Sequence, residues 1–300
     1  MNRLRLGLLA LLLAGPAAAQ QDFDKVQIKT TPLGQGLYVL EGRGGNIGVS
    51  AGPDGIILID DQYAPLAPKI RAALKVISRE PVRFVLNTHW HGDHTGGNED
   101  FGKAGSLIVA HHNVRKRLKA GGFMEAFKRD VPPAPLAALP MVTFNDEVSF
   151  HLNGQELRAF HVAAAHTDGD AVVMFPNSNV VHMGDLYFNG LYPVIDYGSG
   201  GHIEGMVAAV DRVLALIDDK TIVIPGHGPL SNKAKLVVYR DMLATVAKRI
   251  RALMQDGKTL AEIQAARPTA DFDAVWGGGF LPPPTWVEMV WNGLKRAPTP

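Results

Sequence analysis

Cysteine is absent from all 300 residues. That single absence excludes disulfides, thiolate metal ligands and a lipid-bearing cysteine. An excess of one charge is absent too, since 30 Lys+Arg face 29 Asp+Glu. A balanced chain offers no electrostatic reason to bind nucleic acid or an anionic membrane surface. No low-complexity tract, charge run or fixed-period repeat interrupts it. A membrane-spanning run is missing as well. The apolar stretch Leu6 to Gly15 is far shorter than the ~20 residues a spanning helix needs. It follows Arg3 and Arg5 and precedes Ala17-Ala18-Ala19, the pattern of a secretory signal peptide over residues 1–19. The expected location is therefore periplasmic or secreted, with no membrane anchor after cleavage. Removing residues 1–19 takes away Arg3 and Arg5, leaving 28 Lys+Arg against 29 Asp+Glu, a formal charge of −1.

Hydrophobic residues make up 46% of the chain and charged ones 20%, which suits one compact enzyme-sized domain over residues 20–300. Strand patterns fall at Val26–Ile28, Leu37–Leu40, Gly55–Asp60, Val82–Thr88, Ser106–Ala110, Ala171–Phe175, Val180–Met183 and Thr221–Pro225. Phe150 to Val162 alternates around Asn153-Gly154, a hairpin signal. Helical spacing appears at Pro65–Ile77, Asn113–Lys119, Ile203–Ile217, Lys233–Met254 and Leu260–Ala266. Gly121 to Leu139, rich in proline and glycine, is expected to be a loop or flap. From about residue 255 a helical C-terminal extension follows, including Pro282-Pro283-Pro284. Strands mixed with helices in this way predict an α/β sandwich of two facing sheets with helices outside both.

The chemistry concentrates in Thr88-His89-Trp90-His91-Gly92-Asp93-His94. Four potential metal ligands lie within six residues, directly after a buried strand pattern. His89 and His91, two apart at a strand end, can point the same way. Gly92 gives the backbone freedom to carry Asp93 and His94 toward a second point. One short segment can thus serve two ions. Three further candidates stand beside glycine or at predicted strand ends: His166 in His166-Thr167-Asp168-Gly169-Asp170, Asp185 in Gly184-Asp185, and His227 in Pro225-Gly226-His227-Gly228. Without thiolate, the donors are imidazole and carboxylate, which suit zinc, while iron and manganese accept the same donors. Asp60 and Asp168 are candidates to orient ligating imidazoles. His202, after Gly198-Ser199-Gly200-Gly201, and Trp90 are candidates to meet substrate. His111, His112, His151, His161 and His182 sit in or beside strand patterns and read as structural.

These motifs, running in order from about Gly34 to Leu230, resemble the metallo-β-lactamase superfamily. The resemblance implies a four-layer αββα fold with the site at one edge of the sandwich. It assigns His89, His91 and His166 to one metal and Asp93, His94 and His227 to the other, with Asp185 bridging both. The implied activity is hydrolysis by a hydroxide held between two zinc ions, with Asp93 as the catalytic residue that orients it and helps move its proton.

Substrate does not follow from fold. The superfamily's β-lactamases with a sulfur ligand carry cysteine at the position of Asp185 and lysine three residues later, where this chain has Phe188. A bridging aspartate is instead typical of its thioesterases, lactonases and phosphodiesterases. An exported location favours β-lactams over cytosolic thioesters. The expectation is thus a small-molecule hydrolase opening a cyclic amide or ester, β-lactamase-like first and lactonase, esterase or thioesterase second. An iron-dependent oxidoreductase acting on persulfides, or a binding protein that has lost catalysis, belongs to other classes. Oligomeric state has no signature in the sequence.

Overall fold

The computed structural model describes residues 23–296, so the predicted signal peptide lies outside the described residues. In chain order the strands are β1 (Lys29–Gly34), β2 (Leu37–Glu41), β3 (Ile47–Gly52), β4 (Gly55–Ile59), β5 (Val82–Asn87), β6 (Leu107–His111), β7 (Gly122–Met124), β8 (Arg129–Val131) and β9 (Val142–Phe144). They continue as β10 (Glu147–Leu152), β11 (Gln155–His161), β12 (Ala171–Phe175), β13 (Val180–His182) and β14 (Ile222–Ile224). The helices are α1 (Ala67–Ile77), α2 (Gly92–Thr95), α3 (Asn98–Lys103), α4 (His112–Ala120), α5 (Ile203–Leu214), α6 (Lys233–Gln255), α7 (Leu260–Ala265), α8 (Asp273–Trp276) and α9 (Pro283–Leu294).

Among the described residues the strands form a seven-stranded sheet, β1-β2-β3-β4-β5-β6-β9, a five-stranded sheet, β10-β11-β12-β13-β14, and the small hairpin β7-β8. Alternation along the strands sorts side chains between layers. Leu37, Val39, Ile57, Ile59, Leu86 and Val109 of the first sheet meet Phe150, Leu157, Ala159, Val173, Phe175 and Ile224 of the second in one apolar layer. The alternate residues of the first sheet, Leu40, Val49, Leu58, Val85 and Ile108, face α1 through Ile70 and Leu74. Those of the second sheet, Phe160, Val172, Val181 and Val223, face α5 and α6 through Met206, Val210, Leu236 and Leu243. The architecture is the expected four-layer αββα sandwich.

The C-terminal extension belongs to that last layer. Trp276, Leu281, Trp286, Val287 and Val290 pack in the same cluster as α5, α6 and Phe188. Pro283 and Pro284 open α9, where a missing N–H costs nothing.

Several local expectations are corrected. Val26–Ile28 is not a strand. Lys69 Nζ takes the carbonyls of Phe23, Asp24 and Val26, and pairing begins only at Lys29. The segment 121–139 is not a plain loop, because it contains the hairpin β7-β8. β3 and β9 were not expected. β3 is glycine-rich because β-carbons at Gly48 would crowd His182 and Ile59. β9 is only three residues long and pairs parallel to β6.

Candidate metal centre

The parallel run β4-β5-β6 and the parallel pair β13-β14 end at one edge of the sandwich. Residues just past those ends supply the site. His89 and His91 follow β5, Asp185 follows β13 and His227 follows β14, while His166 comes from the β11–β12 connection. The short helix α2 carries Asp93 and His94.

All seven residues singled out by the sequence come together. Donor atoms of His89, His91, His166 and Asp185 lie within 4.8 Å of one another, as do those of Asp93, His94 and His227. His91 Nδ1 is 3.0 Å from His166 Nε2. Asp185 divides its two oxygens between the groups. Oδ2 lies 3.7 Å from His89 Nε2 and 3.5 Å from His166 Nε2. Oδ1 lies 3.0 Å from His94 Nε2 and 3.4 Å from His227 Nε2. Asp93 Oδ2 reaches His227 Nε2 at 3.3 Å.

The far sides of these rings are braced, which fixes which nitrogen points inward. His94 Nδ1 is 2.8 Å from Asp60 Oδ2, and Asp60 also takes the backbone N–H and hydroxyl of Thr88. Asp60 adopts a left-handed φ of 64°, a conformation that a non-glycine residue keeps only when its surroundings demand it. His91 Nε2 is 2.9 Å from Asp196 Oδ2. His166 Nδ1 faces the Val194 carbonyl at 2.7 Å, and His89 Nδ1 lies 3.0 Å from the Thr88 hydroxyl. Asp170 accepts the backbone N–H groups of His166 and Thr167, which pins the loop carrying His166.

Burial and neighbouring charge set the protonation of these groups in opposite senses. Burial pushes His166 down to about 4, against the pull of Asp185. His89 is likewise lowered, by burial and by the neighbouring His94. Burial works against protonation of His227 also, but Asp185 and Asp93 outweigh it and raise that ring to about 9. Burial would raise the Asp93 carboxyl, yet His94 and His227 hold it down at about 2.

The residues fit a pair of divalent ions. His89 Nε2 is buried without a hydrogen-bond partner, an arrangement that is costly unless a cation occupies the focus it shares with Asp185. Close backbone approach makes room for the centre. A β-carbon on Gly45 would collide with the His94 ring, and one on Gly226 with Asp185 Oδ1.

The site opens into a cavity of about 560 Å³. His91, Asp93, Asp185 and His227 form its polar floor, and Phe188 and Phe280 stand beside them. Phe188 stacks on His227 with ring centroids 4.9 Å apart. Phe280 comes from the C-terminal extension, and Met124 and Phe127 from the hairpin region.

Two expected substrate contacts are corrected. His202 does not line the cavity. It is buried at the start of α5, where its Nδ1 accepts the Glu204 N–H and its backbone N–H donates to Ala165. The glycine-rich loop before it serves close packing, since Gly201 lies against the backbones of His166 and Asp196. Trp90 is also buried, in an apolar cluster with Val114, Leu118 and Met124. Asp168 orients no imidazole and instead forms a two-pronged ion pair with Arg117. Sequence reasoning missed Asp196, Asp170, and the cavity residues Arg43, Tyr63, Arg129 and Phe280. Of these only Asp170, inside the His166–Asp170 motif, had a local signal.

Residues 40–227, more than half of the chain, match the family model of the metallo-beta-lactamase superfamily. The chain belongs to that superfamily. A 2,4-dinitroanisole O-demethylase subunit alpha from Nocardioides sp. (strain JS1661) is 27% identical over 182 residues, 59% of this chain and 50% of that protein. A hydroxyacylglutathione hydrolase from Polaromonas sp. is 28% identical over 175 residues, covering 57% of this chain and 58% of its own length. This chain thus spans about half the length of these relatives. A stereoselective inverting sec-alkylsulfatase from Pseudomonas sp. shares the fold with a TM-score of 0.67 at 20% identity, over 88% of this chain and 50% of that one. A metallo-beta-lactamase from Pontibacter korlensis does so with a TM-score of 0.58 at 22% identity, over 73% of this chain and 99% of that one.

Proposed function

We propose that this protein is a binuclear zinc hydrolase that opens a cyclic amide or ester, with β-lactam-like rings as the first substrate class. The observation that carries the proposal is Asp185, whose two oxygens face two separate sets of imidazoles. His89, His91 and His166 would hold one ion, and Asp93, His94 and His227 the other. When bound, the ions supply Lewis acidity and an activated water at neutral pH. Asp93, ionised and lining the cavity, orients that water by accepting its hydrogen. Hydrolysis forms a bond from the water oxygen to the substrate carbonyl carbon and breaks the ring C–N or C–O bond. The proton from water passes by way of Asp93 to the departing nitrogen or oxygen. Phe188 and Phe280 hold the substrate body and exclude bulk water.

A lactone, ester or thioester is the second reading, favoured by Phe188 in place of a lysine anchor and by likeness to a hydroxyacylglutathione hydrolase. Action outside the cytoplasm rests on the N-terminal pattern, and N-terminal sequencing of exported protein checks it. Metal content and nitrocefin hydrolysis, before and after chelation, test the function. About two zinc ions per chain and chelator-sensitive turnover are expected. Two zinc ions without nitrocefin turnover would move the substrate to lactones and esters, and iron with oxygen uptake would overturn hydrolysis.

A further inference from the structure

Arg43, on the β2–β3 connection, and Arg129, at the start of β8, both line the cavity above the proposed metal centre. Among the described residues neither side chain has an ion-pair or hydrogen-bond partner. Elsewhere Arg71, Arg117, Arg158, Arg249, Arg251 and Arg296 are each held by a carboxylate. The cavity's own carboxylates, Asp93 and Asp185, are engaged with histidines on its floor. Two guanidinium groups are therefore left facing a cavity whose other walls are largely apolar. Phe127 and Phe280 stay 42% and 55% exposed at that cavity, unusual for phenylalanine unless something covers it. Val194, Met124 and Phe188 extend the same apolar lining inward.

We infer that the substrate is an anionic amphiphile. Arg43 and Arg129 hold an anionic oxygen group, a carboxylate or a sulfate, and the phenylalanines cover an apolar body. The inference rests on the hydrolase reading for the reaction, but recognition itself needs no turnover. Guanidinium suits this task because its planar fork matches two oxygens of such a group. A cavity of about 560 Å³ accommodates a small amphiphile of this kind.

Calorimetric binding to the zinc-loaded protein tests this with octanoate, octyl sulfate and 1-octanol. Arg43→Gln and Arg129→Gln are each expected to weaken the anionic probe by about three- to tenfold, and the double variant more, without changing zinc content. Binding of 1-octanol should survive both changes and weaken in Phe280→Ala. The anion that loses more affinity identifies the head group. Octanoate and octyl sulfate binding unchanged in the double variant would overturn the inference, because the metals alone would then be holding the anion. Arginine-dependent binding without hydrolysis of any ester or lactam would leave the inference standing and remove the hydrolase reading.

Discussion

The two halves of the metal centre are built differently, although one carboxylate joins them. The half formed by His89, His91 and His166 is the more sealed, with His89 and His166 at most 1% exposed and only the edge of His91 reaching the cavity. Each of its rings has a fixed outer partner: Thr88, Asp196 or the Val194 carbonyl. The half formed by Asp93, His94 and His227 has one strong brace, Asp60 on His94, while Asp93 and His227 remain 21% and 17% exposed at the cavity. A ligand set locked before the ion arrives binds with little reorganisation, whereas an open set adapts and admits substrate. On the proposed binuclear reading, the sealed half is thus suited to retain its ion and the open half to work on the substrate.

Asp185→Asn should have the largest effect because it weakens both halves together. Activity is expected to fall by about a thousandfold or more, with metal lost from both positions. A variant that loses only one ion would break the symmetry assigned to this bridge.

The braces allow a finer separation. Asp196→Asn should weaken only the sealed half, by about ten- to a hundredfold in metal affinity, and Asp60→Asn chiefly the open half by a similar factor, with a smaller effect on the sealed half through Thr88 and His89. Competition with a chromophoric chelator would read both. If either substitution weakens both ions equally, the halves are not independent in the way their hydrogen bonds suggest.

Acidity should separate the halves more gently. In the metal-free protein His166 lies at about 4 and His227 at about 9. At pH 7 His89 and His166 are already neutral, while His94 and His227, both raised by the neighbouring carboxylates, must shed protons before the open half binds. The first ion should therefore bind with a weaker pH dependence than the second. Affinity for the second should rise as pH increases from 6 toward 9, with protons released from both His94 and His227. The same shift predicts a change in metal-free stability. His227 is raised above its ordinary value near 6.5, so its contribution is complete below that pH and is lost as pH rises through about 9. Urea midpoints between pH 6 and 9.5 for wild type and His227→Gln should converge at the upper end.

How much of this could be read from sequence depends on how local each feature is. His89, His91, Asp93 and His94 share one turn, so their spacing alone announced a centre. Asp185 and His227 were legible because each follows an apolar strand and adjoins glycine. Asp196 was not, because it reaches His91 across 105 positions of chain. His202 misled for a related reason. Its glycine-rich loop does approach the site, but the close approach serves the backbones of His166 and Asp196. In the fold, short apolar runs and the alternating hairpin around Asn153-Gly154 were visible, whereas β3 hid behind glycines required by tight packing and β9 behind its brevity. Phe280 enters the cavity only because α9 folds back onto the second sheet's outer layer, which no local pattern reveals.

On the binuclear reading, seven residues make one shared centre with a tight half and an open half. Elemental analysis after stepwise dialysis against a mild chelator tests it most directly, on wild type and His227→Ala in parallel. About two ions per wild-type chain are expected, one released early and one late, and only the late one in His227→Ala. Simultaneous release of both ions, or a His227→Ala protein that keeps the early ion, would contradict it.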